Sequence, residues 1–314
     1  MKFSRLRFLL RPLILIVLGE AGANARPDHE TSVTTQVQID FIKENRAPVS
    51  FELRNGVLLF RVTIAEREAW AIFDSGSDES IIDTDFAHEA GLPPGEPNGE
   101  LRTPTGTVPK RLIKDVPVVI PGQLRFRAPL AKADISEYYV HVGRRIDLVL
   151  GKEYTSSLEL IVSTQAKAFL LARSGSLTPP SEYPAIVLQQ CGRYAGVEIV
   201  IPPNHACVSI DMGFNGELAL EPSIWGRLAP EDVKLTPEVV VNGEGVPSPS
   251  KAGLLPEVRI GAIVTRDVRT SILSAPGMGD GRLGMGFLTS FDFVLDIGAG
   301  KLWLAPVGSF HLPG

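Results

Sequence analysis

A chain of 314 residues with 44% apolar side chains can hold two ordinary domains and bury real cores, which excludes wholesale disorder. Its 30 glycines and 25 prolines favour a turn-rich, mostly β chain over a helical one. A formal net charge of −5 with no basic cluster argues against nucleic acid as a partner.

The first 25 residues read as a secretory signal peptide. Lys2, Arg5, Arg7 and Arg11 precede an apolar block from Leu13 to Leu18, and Ala23-Asn24-Ala25 supplies a small-x-small site, so cleavage is expected after Ala25. The block is far shorter than the roughly 20 residues that span a bilayer, so no membrane association is expected once the leader is removed. Removal takes away four basic residues and one acidic residue and moves the net charge from −5 to −8. The mature protein is expected to be exported, periplasmic or secreted. Residues 26–47 are polar and irregular, a flexible lead-in.

Residues 48–172 read as a first β lobe. Val57 to Ile64 and Ala69 to Phe73 are short apolar or alternating runs around a polar turn, Glu66-Arg67-Glu68, so a hairpin delivers Asp74 at its end. Thr84 to Ala90 reads as a short helix stopped by Gly91. Ser, Pro and Gly dominate 173–184, a linker. In 185–306 the pattern returns: the strand Val197 to Ile201, the turn Pro202-Pro203-Asn204, and the strand Ala206 to Ile210, which delivers Asp211. A shift of 137 residues lays Phe60–Asp74 over Val197–Asp211 without a gap, and the helix at Thr84 falls on Glu221 to Trp225, with Pro222 suited to a first turn. A second anchor repeats at a shift of 133, where Leu148-Val149-Leu150-Gly151 and Arg282-Leu283-Gly284 each precede a strand pair. The same shift matches Leu158–Leu171 to Phe291–Leu304. These repeats indicate a duplicated β lobe, followed by a short tail at 307–314.

Cys191 and Cys207 are the two cysteines; export permits a disulfide, and two buried thiols fit the sequence equally. His29, His88, His141, His205 and His311 are scattered without metal-ligand spacing, so no metal or cofactor is expected. Trp70, Trp225 and Trp303 read as packing residues and His88 as a surface or packing residue. Asp292 and Asp296 lie outside any catalytic motif, and Asp78 and Glu79 read as a solvated acidic edge.

Asp74-Ser75-Gly76 alone is a weak signal, since most such triplets are surface turns. The repeat changes this, because two equivalent lobes can set Asp74 and Asp211 face to face. Two carboxylates about 3 Å apart share one proton. The ionised partner can then take a proton from water while the protonated one hydrogen-bonds a substrate carbonyl. No Gly-x-Ser-x-Gly surrounds Ser75 or Ser77, so a serine hydrolase has little support.

On these residues the chain resembles the retropepsin-like aspartic proteases, specifically a single-chain, two-lobed bacterial type, over most of 48–306. The matching residues are Asp74-Ser75-Gly76-Ser77 with Val149-Leu150-Gly151, and Asp211-x-Gly213-Phe214-Asn215-Gly216-Glu217-Leu218 with Leu283-Gly284. The resemblance implies an all-β fold of two homologous retropepsin-like (acid protease) β-barrel lobes with a pseudo-twofold and a cleft between them. It implies Asp74 and Asp211 as catalytic residues, with Ser75, Gly76, Ser77 and Gly213 supporting their loops. It also implies flap hairpins over the cleft, one near Arg102 to Val108 with Thr105 and Gly106 at its tip, and a less distinct second near Val241 to Val246. The expected protein is a monomeric aspartic endopeptidase acting on a peptide or protein substrate, with a bell-shaped, acid-leaning pH profile. One departure feeds an alternative. Met212 stands where the family has Ser or Thr, whose hydroxyl bonds across the lobes, so the dyad is either loosened or retired to a peptide- or partner-binding module.

Overall fold

The structure, a computed structural model, describes residues 13–14, 39–42, 47–103, 106–136, 142–176, 182–241, 247–274 and 277–312. The leader, apart from Leu13–Ile14, lies outside them, as do Thr105, the proposed second flap tip after Val241, and parts of the linker and tail. Leu13–Ile14 forms a two-residue parallel partner to Val240–Val241. No helix among the described residues is long and apolar enough to cross a membrane.

The chain is mostly β because its apolar residues recur at every second position. Leu124–Ala133 buries alternate side chains from Leu124 to Leu130 and exposes those between, as a half-buried strand must. Six strands close into a barrel in the order Val57–Ile64, Arg67–Phe73, Leu148–Leu150, Ile81–Asp83, Leu124–Ala133 and Gly106–Ile120. The last returns to the first through Thr63↔Val119 and Ile64↔Val118. A second, ring-like sheet runs Tyr194–Ile201, Asn204–Asp211, Gly281–Gly284, Leu218–Leu220, Ile263–Ile272 and Pro247–Ile260. It returns to its start through the pair Val200↔Arg259. Thr63 and Val200, which make these closures, are 137 residues apart, the spacing of the sequence repeat.

Both hairpins turn in two residues. Ala65 and Glu66 adopt φ of 46° and 68°, and the next strand resumes at Arg67, two residues earlier than the polar run suggests. Two left-handed residues match the right-handed twist of the flanking strands, which a two-residue turn of the opposite hand would splay. In the second sheet Pro202-Pro203 makes the connection, and Asn204 already belongs to the strand. The helices fall where expected: Thr84–Glu89 is capped by Asp83, whose carboxylate accepts from Phe86 N at 3.0 Å, and Pro222–Leu228 carries its proline in the first turn.

A third set of strands, continuous with the barrel through Ala168↔Ser50, pairs strands from the two halves of the chain. Leu158–Ser163 pairs with Ala168–Arg173 on one side and Asp292–Asp296 on the other, and Lys301–Ala305 completes the set. In this register Ile161 faces Val294, the residue 133 positions further on. Repeat therefore pairs with repeat. Asp292 and Asp296 are buried here for structural reasons: Asp292 accepts from Thr164 N at 2.8 Å and from Gly308 N and Phe310 N at 2.9 Å, while Asp296 holds Ala299 N and Ser174 Oγ at 2.8 and 2.6 Å. Trp303 is buried, and Trp225 is partly buried against the core. Trp70 is half-buried between the guanidinium groups of Arg61 and Arg144, 4.0 and 4.3 Å from its ring.

Cys191 and Cys207 form a disulfide, which resolves the alternative left open by the sequence. It closes a loop with a sequence separation of 16. Replacing both cysteines by alanine is expected to lower stability by about 3 kcal/mol, the loop-entropy figure for this length, measured by denaturant unfolding.

Candidate active site

Asp74 leaves the end of Arg67–Phe73, and its position is fixed from behind. The Phe73 ring stacks on Phe60 at 4.5 Å and meets Phe169, from the joining strands, at 5.5 Å. Asp74 N donates to Leu150 O at 2.9 Å, so the parallel strand Leu148–Leu150 anchors the loop from beneath. Asp211 ends Asn204–Asp211 in the same way, paired in parallel with Gly284. Both loops then turn alike: Ser77 N reaches Asp74 O at 3.2 Å, and Phe214 N reaches Asp211 O at 3.2 Å.

The two carboxylates meet. Gly76 N donates to Asp74 Oδ1 at 2.9 Å and Gly213 N to Asp211 Oδ1 at 3.0 Å, so each loop holds one oxygen of its own aspartate. Each glycine also lies against the opposite carboxylate. A methyl on Gly213 would sit 2.6 Å from Asp74 Cγ, and one on Gly76 would sit 2.7 Å from Asp211 Oδ1. Neither glycine has a left-handed φ. Close approach, rather than turn conformation, is what demands glycine at both positions.

Ser75 ties the loops together. Its Oγ donates to Ile210 O at 2.7 Å and accepts from Met212 N at 3.1 Å. The reciprocal bond, from a hydroxyl at 212 toward the first loop, is absent because Met212 has none. Its side chain instead is buried against a small apolar gap lined by Phe73, Leu158, Leu160, Leu171 and Leu295. The connection is therefore half hydrogen bond and half apolar contact. A second tie runs from Asn215 Nδ2 to Asn55 O at 2.8 Å.

Ser77 Oγ donates to Glu79 O at 2.8 Å, and Ser77 O accepts from Lys152 N at 3.0 Å, which locks the loop onto the residues after Gly151. Asp78 and Glu79 are not a solvated edge. Asp78 pairs with Lys152 at 2.5 Å and with Arg193, from the second half of the chain, at 2.7 Å, and Glu79 pairs with the buried Lys110. Their partners come from distant strands, which local charge pattern does not show. Glu96–Thr103 and Gly106–Ile120 form the expected hairpin, with Gly106 opposite Thr103 at its last paired position. Thr236–Val241 and Pro247–Ile260 form another, up to Val241↔Pro247.

The residue that sequence reasoning missed is Arg282. It lies in Gly281–Gly284, paired on both sides, and is 1% exposed. Its Nη1 donates to Asp211 Oδ2 at 2.9 Å, and its guanidinium lies 5.7 Å from the centre of the Phe214 ring. The signal was present: an arginine opens the triplet Arg282-Leu283-Gly284, where the first repeat has Val149. A cation inside a strand buried on both sides requires an anion.

Three of the four carboxylate oxygens of the pair are thus bonded within the protein, while Asp74 Oδ2 is buried with no hydrogen-bond partner. Burial, and then the charge of Asp211, push the Asp74 carboxyl well above its ordinary range. Burial also raises Asp211, but Arg282 opposes it. This pair can hold one proton on Asp74 and one charge on Asp211.

Folding keeps Asp74 protonated at pH values where the unfolded chain releases the proton, so its contribution to stability falls as pH rises above the unfolded value near 3.8. Asp74→Asn is expected to raise the melting temperature at neutral pH, with the gain fading below that value. Asp211→Asn strands the buried Arg282 charge and is expected to cost about 3–5 kcal/mol. Equal effects of the two substitutions in calorimetry across pH would contradict this asymmetry.

Residues 60–154 match the family model described as aspartyl protease. No curated protein matches the chain. Over those residues, the stretch that carries Asp74 and its supporting strands, the chain is similar to the aspartyl protease family.

Proposed function

We propose that this chain is an exported aspartic endopeptidase built from two homologous retropepsin-like lobes. A pseudo-twofold would pass between Ile161 and Val294, and Asp74 and Asp211 would act as one dyad in the cleft between the lobes. The observation that carries the reading is the mutual approach of the two loops, with each glycine against the other loop's carboxylate. Matching ring closures 137 residues apart and the self-pairing of the 133-residue repeat support the two-lobed arrangement. The leader-like start and the Cys191–Cys207 disulfide support export, since disulfides persist in oxidising compartments. The hairpins ending at Thr103↔Gly106 and Val241↔Pro247 would be the flaps over an extended peptide.

The reaction follows from the proton distribution. Asp211, as carboxylate, takes a proton from a water while that water's oxygen attacks the peptide carbonyl carbon. Asp74 gives its proton to the carbonyl oxygen, producing a neutral tetrahedral diol with no covalent enzyme adduct. Collapse breaks the C–N bond: Asp211 returns its proton to the departing nitrogen, and a diol hydroxyl returns one to Asp74. Both carboxyls end as they began. Asp211 Oδ2 can still accept a proton beside the Arg282 bond, because a carboxylate oxygen offers more than one lone pair.

The Arg282 bond and complete burial of both aspartates favour a second reading, in which the dyad is retired and the fold binds a peptide or a protein partner.

Purified mature chain beginning at Arg26, tested on a random peptide library from about pH 3 to 8, is expected to cleave with a bell-shaped profile. Asp74→Asn and Asp211→Asn should each abolish cleavage. A folded chain that cleaves nothing would move the conclusion to the binding module. Gly213→Ala places a methyl against Asp74 and is expected to lower kcat by at least about 100-fold, since small misplacements at a reacting centre have that effect. Met212→Thr gains a hydroxyl but empties an apolar site, so stability should change by less than about 2 kcal/mol in either direction.

A further inference from the structure

We infer that Arg282 assigns the two carboxylates their separate roles, holding Asp211 as the base and leaving the proton with Asp74; this rests on the peptidase reading above. In a dyad built from two equivalent loops, nothing in the loops themselves decides which aspartate owns the shared proton. Here the backbone is matched on both sides, with a glycine N–H on each Oδ1 at 2.9 and 3.0 Å. The asymmetry enters one layer out. At a shift of 133 residues, Val149 in one strand corresponds to Arg282 in the other. Among the described residues, only the second aspartate has a cation within hydrogen-bond reach, at 2.9 Å.

The burial of that cation gives the assignment its force. The side chains of Arg282 and Asp211 are 1% and 0% exposed. A buried guanidinium beside a neutral carboxyl would be an unpaired charge in a low-dielectric site, which is far costlier than a paired one. Arg282 therefore requires Asp211 ionised. Asp74, 0% exposed and with Oδ2 lacking a protein partner, is then the group that carries the proton. With that distribution the three side chains together are neutral. Adding a proton would leave a buried positive charge, and removing one would leave a buried negative charge. Arg282 thus extends the singly protonated state toward acid pH, at the expense of some basicity in Asp211.

The surrounding groups leave this account intact. Asp74 faces Asp211 and Arg282, and Arg282 also faces Glu221 at the start of the helix Pro222–Leu228. Glu221 is only partly buried, whereas Asp211 is fully buried and accepts from the guanidinium at 2.9 Å, so Asp211 is the anion that the arginine chiefly depends on. Tyr194 lies close enough to Asp74 to feel its charge, but burial pushes its hydroxyl upward, so it stays neutral. Asp78, next to Tyr194, is matched by Lys152 and Arg193. None of these places a second cation on Asp74.

The test is a carboxyl-carbon NMR titration of mature chain labelled at aspartate, with signals assigned through Asp74→Asn and Asp211→Asn. Peptide-cleavage pH profiles of wild type, Arg282→Met and Arg282→Lys run beside it. In the wild type, Asp211 should lose its proton at lower pH than Asp74. Arg282→Met should raise the Asp211 midpoint and the acid limb of cleavage by roughly 1–3 pH units, and Arg282→Lys should restore most of the shift. Asp74 ionising first in the wild type, or an unmoved acid limb in folded Arg282→Met, would overturn the inference. Faster peak cleavage by Arg282→Met would overturn it too, by showing that the arginine obstructs the dyad. If Arg282→Met fails to fold, the order of the wild-type midpoints decides. The titration needs no turnover, so a chain that cleaves nothing rejects the peptidase reading while the role of Arg282 is still judged.

Discussion

Two carboxylates buried against each other repel, and no local segment of chain would hold them there. Everything around Asp74 and Asp211 works against that repulsion. The loop N–H groups of Gly76 and Gly213 take one oxygen each, Ser75 bonds across to Ile210 and Met212, and Arg282 neutralises one charge outright. The joining strands supply the mechanical constraint, because the register that sets Ile161 against Val294 draws the two halves together behind the loops. The apolar interior does the rest. Phe60, Phe73 and Phe169 form a cluster directly behind Asp74, so the strand that delivers it cannot shift without opening the core.

Much of this frame is legible in the sequence. The 137-residue repeat locates both aspartates, both hairpins and both short helices, because strand alternation, turn residues and helix caps are local properties. Placement within a hairpin is read less well: the first turn falls at Ala65 and Glu66 rather than on the charged residues that follow, since twist rather than polarity selects the turn. What the sequence hides is pairing between distant residues. The partners of Asp78, Lys152 and Arg193, lie 74 and 115 residues away, and the anion for Arg282 lies 71 residues away. No window along the chain contains both members of such a pair.

Met212 shows how a departure from pattern can be absorbed. The missing hydroxyl removes one bond across the loops, yet the Met212 backbone N–H still donates to Ser75, and its side chain fills apolar space beside Phe73 and Leu295. Thioether side chains adapt to irregular gaps, which makes methionine a tolerant substitute there. Arg282 is a departure of another kind. Its bond to Asp211 acts on the electrostatics of the carboxylate pair, whereas Met212 acts on the join between the two loops.

We propose that one chain holds one complete dyad able to bind a tetrahedral centre. A peptide with a hydroxymethylene group in place of the scissile carbonyl presents that geometry without being cleavable. Calorimetric titration of such a peptide into the mature chain should give one site per chain at mildly acid pH, lost on Asp74→Asn. Binding at one site per two chains, or binding unchanged by Asp74→Asn, would contradict it.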